Sequence, residues 1–293
     1  MAASVVARMF PQRITPKLHP SGVRCIVVGL TPDIVAINTF SSSARDSTYV
    51  HNEDNDDEFI ARKKQRRTID ILFVPANENL VGTLFTPSEA AAAGHRAGII
   101  YAEQTVDGQV HAAGGLALQT ELHELGVSPI ETGDAVITGA PGGLSHLYSY
   151  CIHTVPPFYS VHKHAEGWED LLVKSWKSAL DCAISVPLSN LREDKSMIDD
   201  DEDDAKLEDG HDDYDNVVRI AAPLLGAGAR GAPAELALMK LTEAVSAWRR
   251  PKTVSILSSV PVDLHVNLVE DRDADVLVEI LETAGWEVRQ HGV

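Results

Sequence analysis

Three stretches of this 293-residue sequence carry residue types suited to an anionic, hydroxyl-rich ligand. The first is Val106-Asp107-Gly108-Gln109-Val110-His111-Ala112-Ala113-Gly114-Gly115, where a carboxylate beside a glycine precedes helical apolar spacing at Val110, Ala113, Leu116 and Ala117. A helix start offers open N–H groups and the positive end of the dipole, so anions settle there. Asp107 is expected as the N-cap; the same position lets it face a reacting atom. Taken alone, the stretch favours the simpler capping role. The second stretch is Pro75-Ala76-Asn77-Glu78-Asn79. The Asn77 amide can donate and accept, which suits a pair of ribose hydroxyls, although an Asx turn uses the same groups. The third is Gly226, Gly228 and Gly231, spaced G-x-G-x-x-G. Glycines there let backbone N–H groups approach a diphosphate.

These stretches need elements to hold them. Val23–Gly29, Ile69–Val74, Ala135–Thr138, Tyr150–Val155, Val217–Ala222 and Val254–Leu257 read as strands. Residues 107–125, 166–184, 234–248 and 273–284 read as helices, the first ended by Gly126 as a C-terminal cap. The alternation predicts an α/β fold, with helices on a largely parallel or mixed sheet. The Pro75–Asn79 stretch and the glycine loop follow strands, at the edge where such sheets bind ligands. Residues 1–22 are expected to be an extension and 23–290 one domain. Insertions are expected at 40–67, 83–105 and 190–216, where blocks of charge or alanine replace periodic apolar residues.

The formal charge is −18. Thirteen acids and two lysines between Glu193 and Asp215 account for −11, leaving −7 for the rest. The acidity therefore belongs mostly to the 190–216 segment, expected to be disordered. A chain without clustered Lys and Arg on its folded part is not expected to present an extended nucleic-acid face. No apolar run is long enough to span a membrane. Cys25, Cys151 and Cys182 are widely spaced, so neither a disulfide framework nor a cysteine zinc site is expected. His162 and His164 have no acid or cysteine at ligand spacing, and no metal or cofactor is expected. Residues 1–32 hold no acid but do hold Arg8, Arg13, Lys17 and Arg24. That composition fits a mitochondrial presequence, although the strand at Val23–Gly29 favours a plain extension and a cytoplasmic or nuclear protein. The basic run Arg62–Arg67 reads as a nuclear address or a solvated loop.

Several blocks, in order, resemble the macro domain family, the ADP-ribose-binding module. Pro75–Leu80 resembles N-A-A-N-E-x-L. Val106–Gly114 resembles V-D-G-x-I-H-x-A-G, and Thr132–Thr138 resembles T-G-x-A-x-x-T. Ile152–Pro157 resembles I-H-T-V-G-P, and Pro223–Pro233 resembles P-x-x-S-T-G-x-x-G-x-P. The resemblance implies a three-layer α/β/α sandwich with a mixed, mostly parallel sheet. It implies that Asp33 and Ile34 hold the adenine and that Asn77 lies near the distal ribose. Asp107, followed by Gly108, would stand beside that ribose and help activate water. Gly226, Ala227, Gly228, Ala229, Arg230 and Gly231 would wrap the diphosphate. Asn77 and Asp107 are the catalytic candidates. The chain departs from the pattern at Val74, in the alanine-rich segment before Val106, at Gly226-Ala227, and at Arg230, where hydrolytic members often carry an aromatic.

The expectation is a monomer that binds ADP-ribose or ADP-ribosylated protein, with or without hydrolysis of the ADP-ribosyl bond. A reader without turnover and a degenerate interaction domain are the alternatives. A Rossmann dinucleotide site is more remote, since Ser258-Ser259 stands where an acidic ribose ligand is required.

Overall fold

The computed structural model describes residues 12–16, 23–30, 69–82, 105–159, 167–186, 217–249 and 261–289. The insertions 40–67 and 190–216, residues 83–104, Asp33, Ile34, His162, His164 and Val254–Leu257 lie outside the described residues. The described strands are β1 Gln12–Pro16, β2 Val23–Leu30, β3 Ile71–Pro75, β4 Ala135–Gly139, β5 Tyr150–Thr154, β6 Val218–Pro223, β7 Val262–Leu268 and β8 Trp286–Arg289. The helices are α1 Val106–Glu124, α2 Trp168–Ser185, α3 Ala234–Ala247 and α4 Asp271–Thr283. Short 3-10 turns occupy Gly142–His146 and Gly228–Arg230.

One sheet runs in the order β4-β5-β3-β6-β7-β2-β1-β8. The run from β5 to β2 is parallel, and the edges are closed by antiparallel partners. Strands of such a sheet are buried on both faces and read as continuous apolar runs. In β3, Ile71 and Phe73 enter one core with α2, α3 and α4, whereas Leu72 and Val74 enter a second core under α1. These two cores are the faces of the α/β/α sandwich.

Several expectations need correction. Gln12–Pro16 is not part of an extension: it pairs with β2 and β8. Strand β7 escaped the sequence reading because Val262–Leu268 alternates with Asp263, His265 and Asn267, a pattern typical of a half-exposed edge. It is in fact central, and the buried Asp263 is tolerated because Arg24 on β2 grips it, with Nε 2.8 Å from Oδ1 and Nη2 on Oδ2. Helix α1 is capped by Thr105 and not by Asp107. The Thr105 Oγ1 accepts from Gly108 N at 3.0 Å.

Helix α1 also breaks at Gly115 (φ 58°, ψ −150°), a conformation open to glycine alone. The break shifts the buried stripe to Leu118 and Leu122 and leaves Leu116 77% exposed. The Gly142–His146 turn fills the notch. A Cβ on Gly142 would lie 2.8 Å from the Gly114 carbonyl oxygen, so the two backbones meet directly.

No described helix is long and apolar enough to cross a membrane. Among the described residues, no group of His, Cys, Asp or Glu could hold a metal ion.

Trp176 is wholly buried and packs its ring 6.4 Å from that of Phe73. Trp176→Ala is expected to lower stability by about 3–5 kcal/mol in urea unfolding; a loss under about 1 kcal/mol would contradict the packing of α2 on the sheet. His153 on β5 is also wholly buried, with its Nε2 3.0 Å from Thr138 Oγ1. Burial first, and His111 second, push its pKa down to about 3. The folded state therefore holds it neutral while the unfolded chain takes up a proton below about 6.5. Stability is expected to be full above that pH and to fall progressively as pH drops from about 6.5 toward 3. Urea midpoints at successive pH values check this, and His153→Asn should flatten the decline.

Candidate functional site

The ends of β3, β6 and β7 lie side by side in the sheet order, so their loops share one rim. Strand β3 pairs with β5 as far as Pro75↔Thr154, and β6 pairs with β7 as far as Pro223↔Asn267. Between β3 and β6, however, the register covers only Ile71↔Ile220 and Leu72↔Ala221. The sheet is paired at its base there and splits toward the rim. A cleft of about 590 Å³ opens over this split, a volume in the range of small-molecule sites.

One wall is the loop after β3. Ala76 N donates to Thr154 O at 2.8 Å, fixing where the loop begins. The Asn77 Oδ1 accepts from Asn79 N at 3.1 Å and Val81 N at 3.4 Å, and its Nδ2 donates to Gly82 O. Asn77 thus spends its amide on an Asx turn while still lining the cleft. Leu80 pays for the tight turn with a positive φ of 56°, held because its side chain is buried under α1.

The second wall is the start of α1. Asp107 sits in the first turn, 4% exposed, and lines the cleft. One turn on, His111 Nε2 lies 3.6 Å from Asp107 Oδ1. His111 is itself buried, and burial lowers its pKa, which keeps the ring neutral near pH 7. Gly82 (φ +79°) covers the ring: a Cβ there would stand 3.1 Å from His111 Cγ. His111 falls inside the V-D-G-x-I-H-x-A-G resemblance, from which no role was inferred for it. The i, i+4 spacing from Asp107 was the available signal.

The third wall is the glycine loop. Gly226 turns at φ +84°, and a Cβ there would fall 2.9 Å from Leu172 Cδ1. The N–H groups of Arg230, Gly231 and Ala232 close the turn onto the carbonyls of Ala227, Gly228 and Gly226 at 3.2, 2.9 and 3.0 Å. Ala227, Gly228 and Ala229 line the cleft, and a Cβ on Gly228 would meet nothing within 4 Å. The Arg230 side chain turns inward and is 5% exposed. Its Nη2 donates to Ala76 O, and its guanidinium carbon lies 4.1 Å from the centroid of the Phe158 ring. A desolvated cation–π contact contributes about 2 kcal/mol and a charged hydrogen bond about 1.5–3 kcal/mol. Together they offset much of the cost of burying the charge.

The far end is formed by the end of β7 and the start of α4: Asn267, Leu268, Val269, Glu270 and Asp273. Burial, and then the neighbouring Glu270, raise the pKa of Asp273. This wall was not foreseen because β7 itself was not, and Phe158 was not because only its contact with Arg230 distinguishes it.

The fold therefore brings Asn77, Asp107, Gly226, Ala227, Gly228, Ala229 and Arg230 to one cleft. Gly108 and Gly231 serve the local turns: Gly108 N–H feeds the Thr105 cap, and Gly231 (φ 78°) ends the 3-10 turn. Asp33 and Ile34 lie outside the described residues.

No curated protein matches the chain. Among solved structures, it is similar to the Oceanobacillus iheyensis macrodomain with ADP. Identity is 17%, with 89% of this chain and 91% of the other covered, at a TM-score of 0.48. It is also similar to the Trypanosoma brucei macrodomain in complex with ADP-ribose. Identity is 13%, with 91% and 73% covered, at a TM-score of 0.48. The profile of the Macro domain family matches residues 75–240, a segment that starts at the last residue of β3 and contains α1, β6 and the glycine loop. That match spans more than half of the sequence, and the chain belongs to the macro domain family.

Proposed function

We propose that the cleft binds ADP-ribose, free or carried on a protein. The observation that supports this reading best is the order of the three strand ends in a macro domain chain. A long ligand laid along the rim meets Asn77 and Asp107 at one end, the Ala227–Ala229 backbone in the middle, and Asn267–Asp273 at the other. A diphosphate suits the middle, where glycine leaves room for backbone donors. The terminal ribose then points to Asp107, and the adenosine points to the β7 end, with Asp33 and Ile34 as its further holders.

Hydrolysis of an ADP-ribosyl bond is the chemistry this end of the cleft could perform. The bond to the anomeric carbon breaks through an oxocarbenium-like state, and water replaces the leaving group. Asp107 is a buried acceptor that can orient that water, and His111 stands one turn behind it. Asn77 acts by shaping its loop, since its amide is spent there. A reader without turnover is the second reading. It is favoured by Arg230, whose side chain is committed to Ala76 and Phe158.

Calorimetry with ADP-ribose, combined with a release assay on mono-ADP-ribosylated protein, separates these outcomes. The wild type is expected to bind ADP-ribose, and Asp107→Ala to slow release by on the order of 10²-fold or more. Binding with no release would support the reader. No binding at millimolar ligand would overturn both and leave a protein-interaction domain. Asp107→Ala turning over at the wild-type rate would remove the carboxylate from the mechanism.

A further inference from the structure

Strands β3 and β6 are hydrogen-bonded neighbours only at their base. There, Asp70 N donates to Arg219 O at 2.9 Å and Arg219 N donates to Asp70 Oδ2 at 2.8 Å. Toward the rim the ladder between them stops, while each strand stays paired on its other side. The sheet edge is thus two halves, β5-β3 and β6-β7, hinged at the base. The candidate reacting end belongs to the first half, and the glycine loop belongs to the second.

Arg230 reaches across the gap. It stands on the β6 side, at the end of the 3-10 turn. Its Nη2 donates to the carbonyl of Ala76 beyond the end of β3, and its guanidinium carbon lies over the ring of Phe158, beyond the end of β5, 4.1 Å from the ring centre. Ala76 is tied to the other half by its N–H, which donates to Thr154 O at 2.8 Å, and Phe158 follows β5 in the same half and is buried. An arginine suits this place because a planar fork can stack by its face and donate by its edge at once, which an ammonium cannot do.

We infer that Arg230 is a positioning residue, a clasp across the split sheet that sets the distance between the glycine loop and the Asn77–Asp107 end. This rests on the reading of the cleft as an ADP-ribose site. Its consequence is specific: a ligand that spans both halves needs the clasp, and a ligand held by the second half alone does not. ADP-ribose spans both halves. ADP, which lacks the terminal ribose, does not reach the first.

Calorimetry with both ligands tests this in the full-length protein, using Arg230→Ala, Arg230→Lys, Phe158→Leu and the Arg230→Ala/Phe158→Leu double variant. Arg230→Ala is expected to weaken ADP-ribose by at least about tenfold and ADP by less than about threefold. Arg230→Lys should fall nearly as far as alanine. Phe158→Leu should move the same way, and the double variant should lose less than the sum of the two. Equal losses for both ligands, or rescue by lysine, would overturn the clasp. Hydrogen exchange on the free protein gives a reading that needs no ligand. Arg230→Ala should speed exchange at residues 76–82 and 226–232 together, with unchanged protection in α2. Exchange confined to 226–232 would overturn the proposal. If the wild type bound neither ligand while both loops loosened together, the ADP-ribose reading would fail and the clasp would stand.

Discussion

Five adjacent parallel strands buried on both faces leave the chain little freedom except at their ends. The apolar residues of these strands divide between two cores, as Ile71 and Phe73 enter one and Leu72 and Val74 the other. Polar groups that do chemistry must therefore collect at the carboxyl edge, where backbone donors are no longer used by a neighbouring strand. The cleft follows from one local failure of this regularity. β3 and β6 begin as partners and separate, and the loops that follow them stand on opposite banks.

Much of this was legible in the sequence, and the part that was legible has a physical signature. Strand β3 announces itself as an apolar run because both its faces are buried. The glycine loop is readable because the backbone must turn at positive φ at Gly226, Gly228 and Gly231. The order of the motif blocks pointed to the family that residues 75–240 match. What was not legible depends on partners distant in sequence. Strand β7 looks half-exposed until Arg24 is known to grip Asp263. Phe158 looks like a loop aromatic until Arg230 is seen on its face.

Helix α1 shows the same limit on a smaller scale. Asp107 reads as a cap because carboxylates favour that position, but Thr105 takes the role and releases Asp107 to face the cleft. The spacing through Leu116 reads as one continuous stripe. A single glycine at 115 resets the phase, so the segment bearing Asp107 and His111 is oriented separately from the segment anchored by Leu118 and Leu122. Periodicity assumes an unbroken helix, and a glycine pair is where that assumption fails.

At the far edge of the sheet, β1 and β8 lie antiparallel, with Arg13 opposite Arg289. The two strands come from opposite ends of the sequence. Closing such a pair carries a large loop entropy that local contacts do not repay. β1 pairs with β2 through a short connection, and its other side is completed only by β8, far along the sequence. Residues 12–16, expected as part of an extension, are thus one side of a seam that ties the two sequence-distant edge strands of the sheet together.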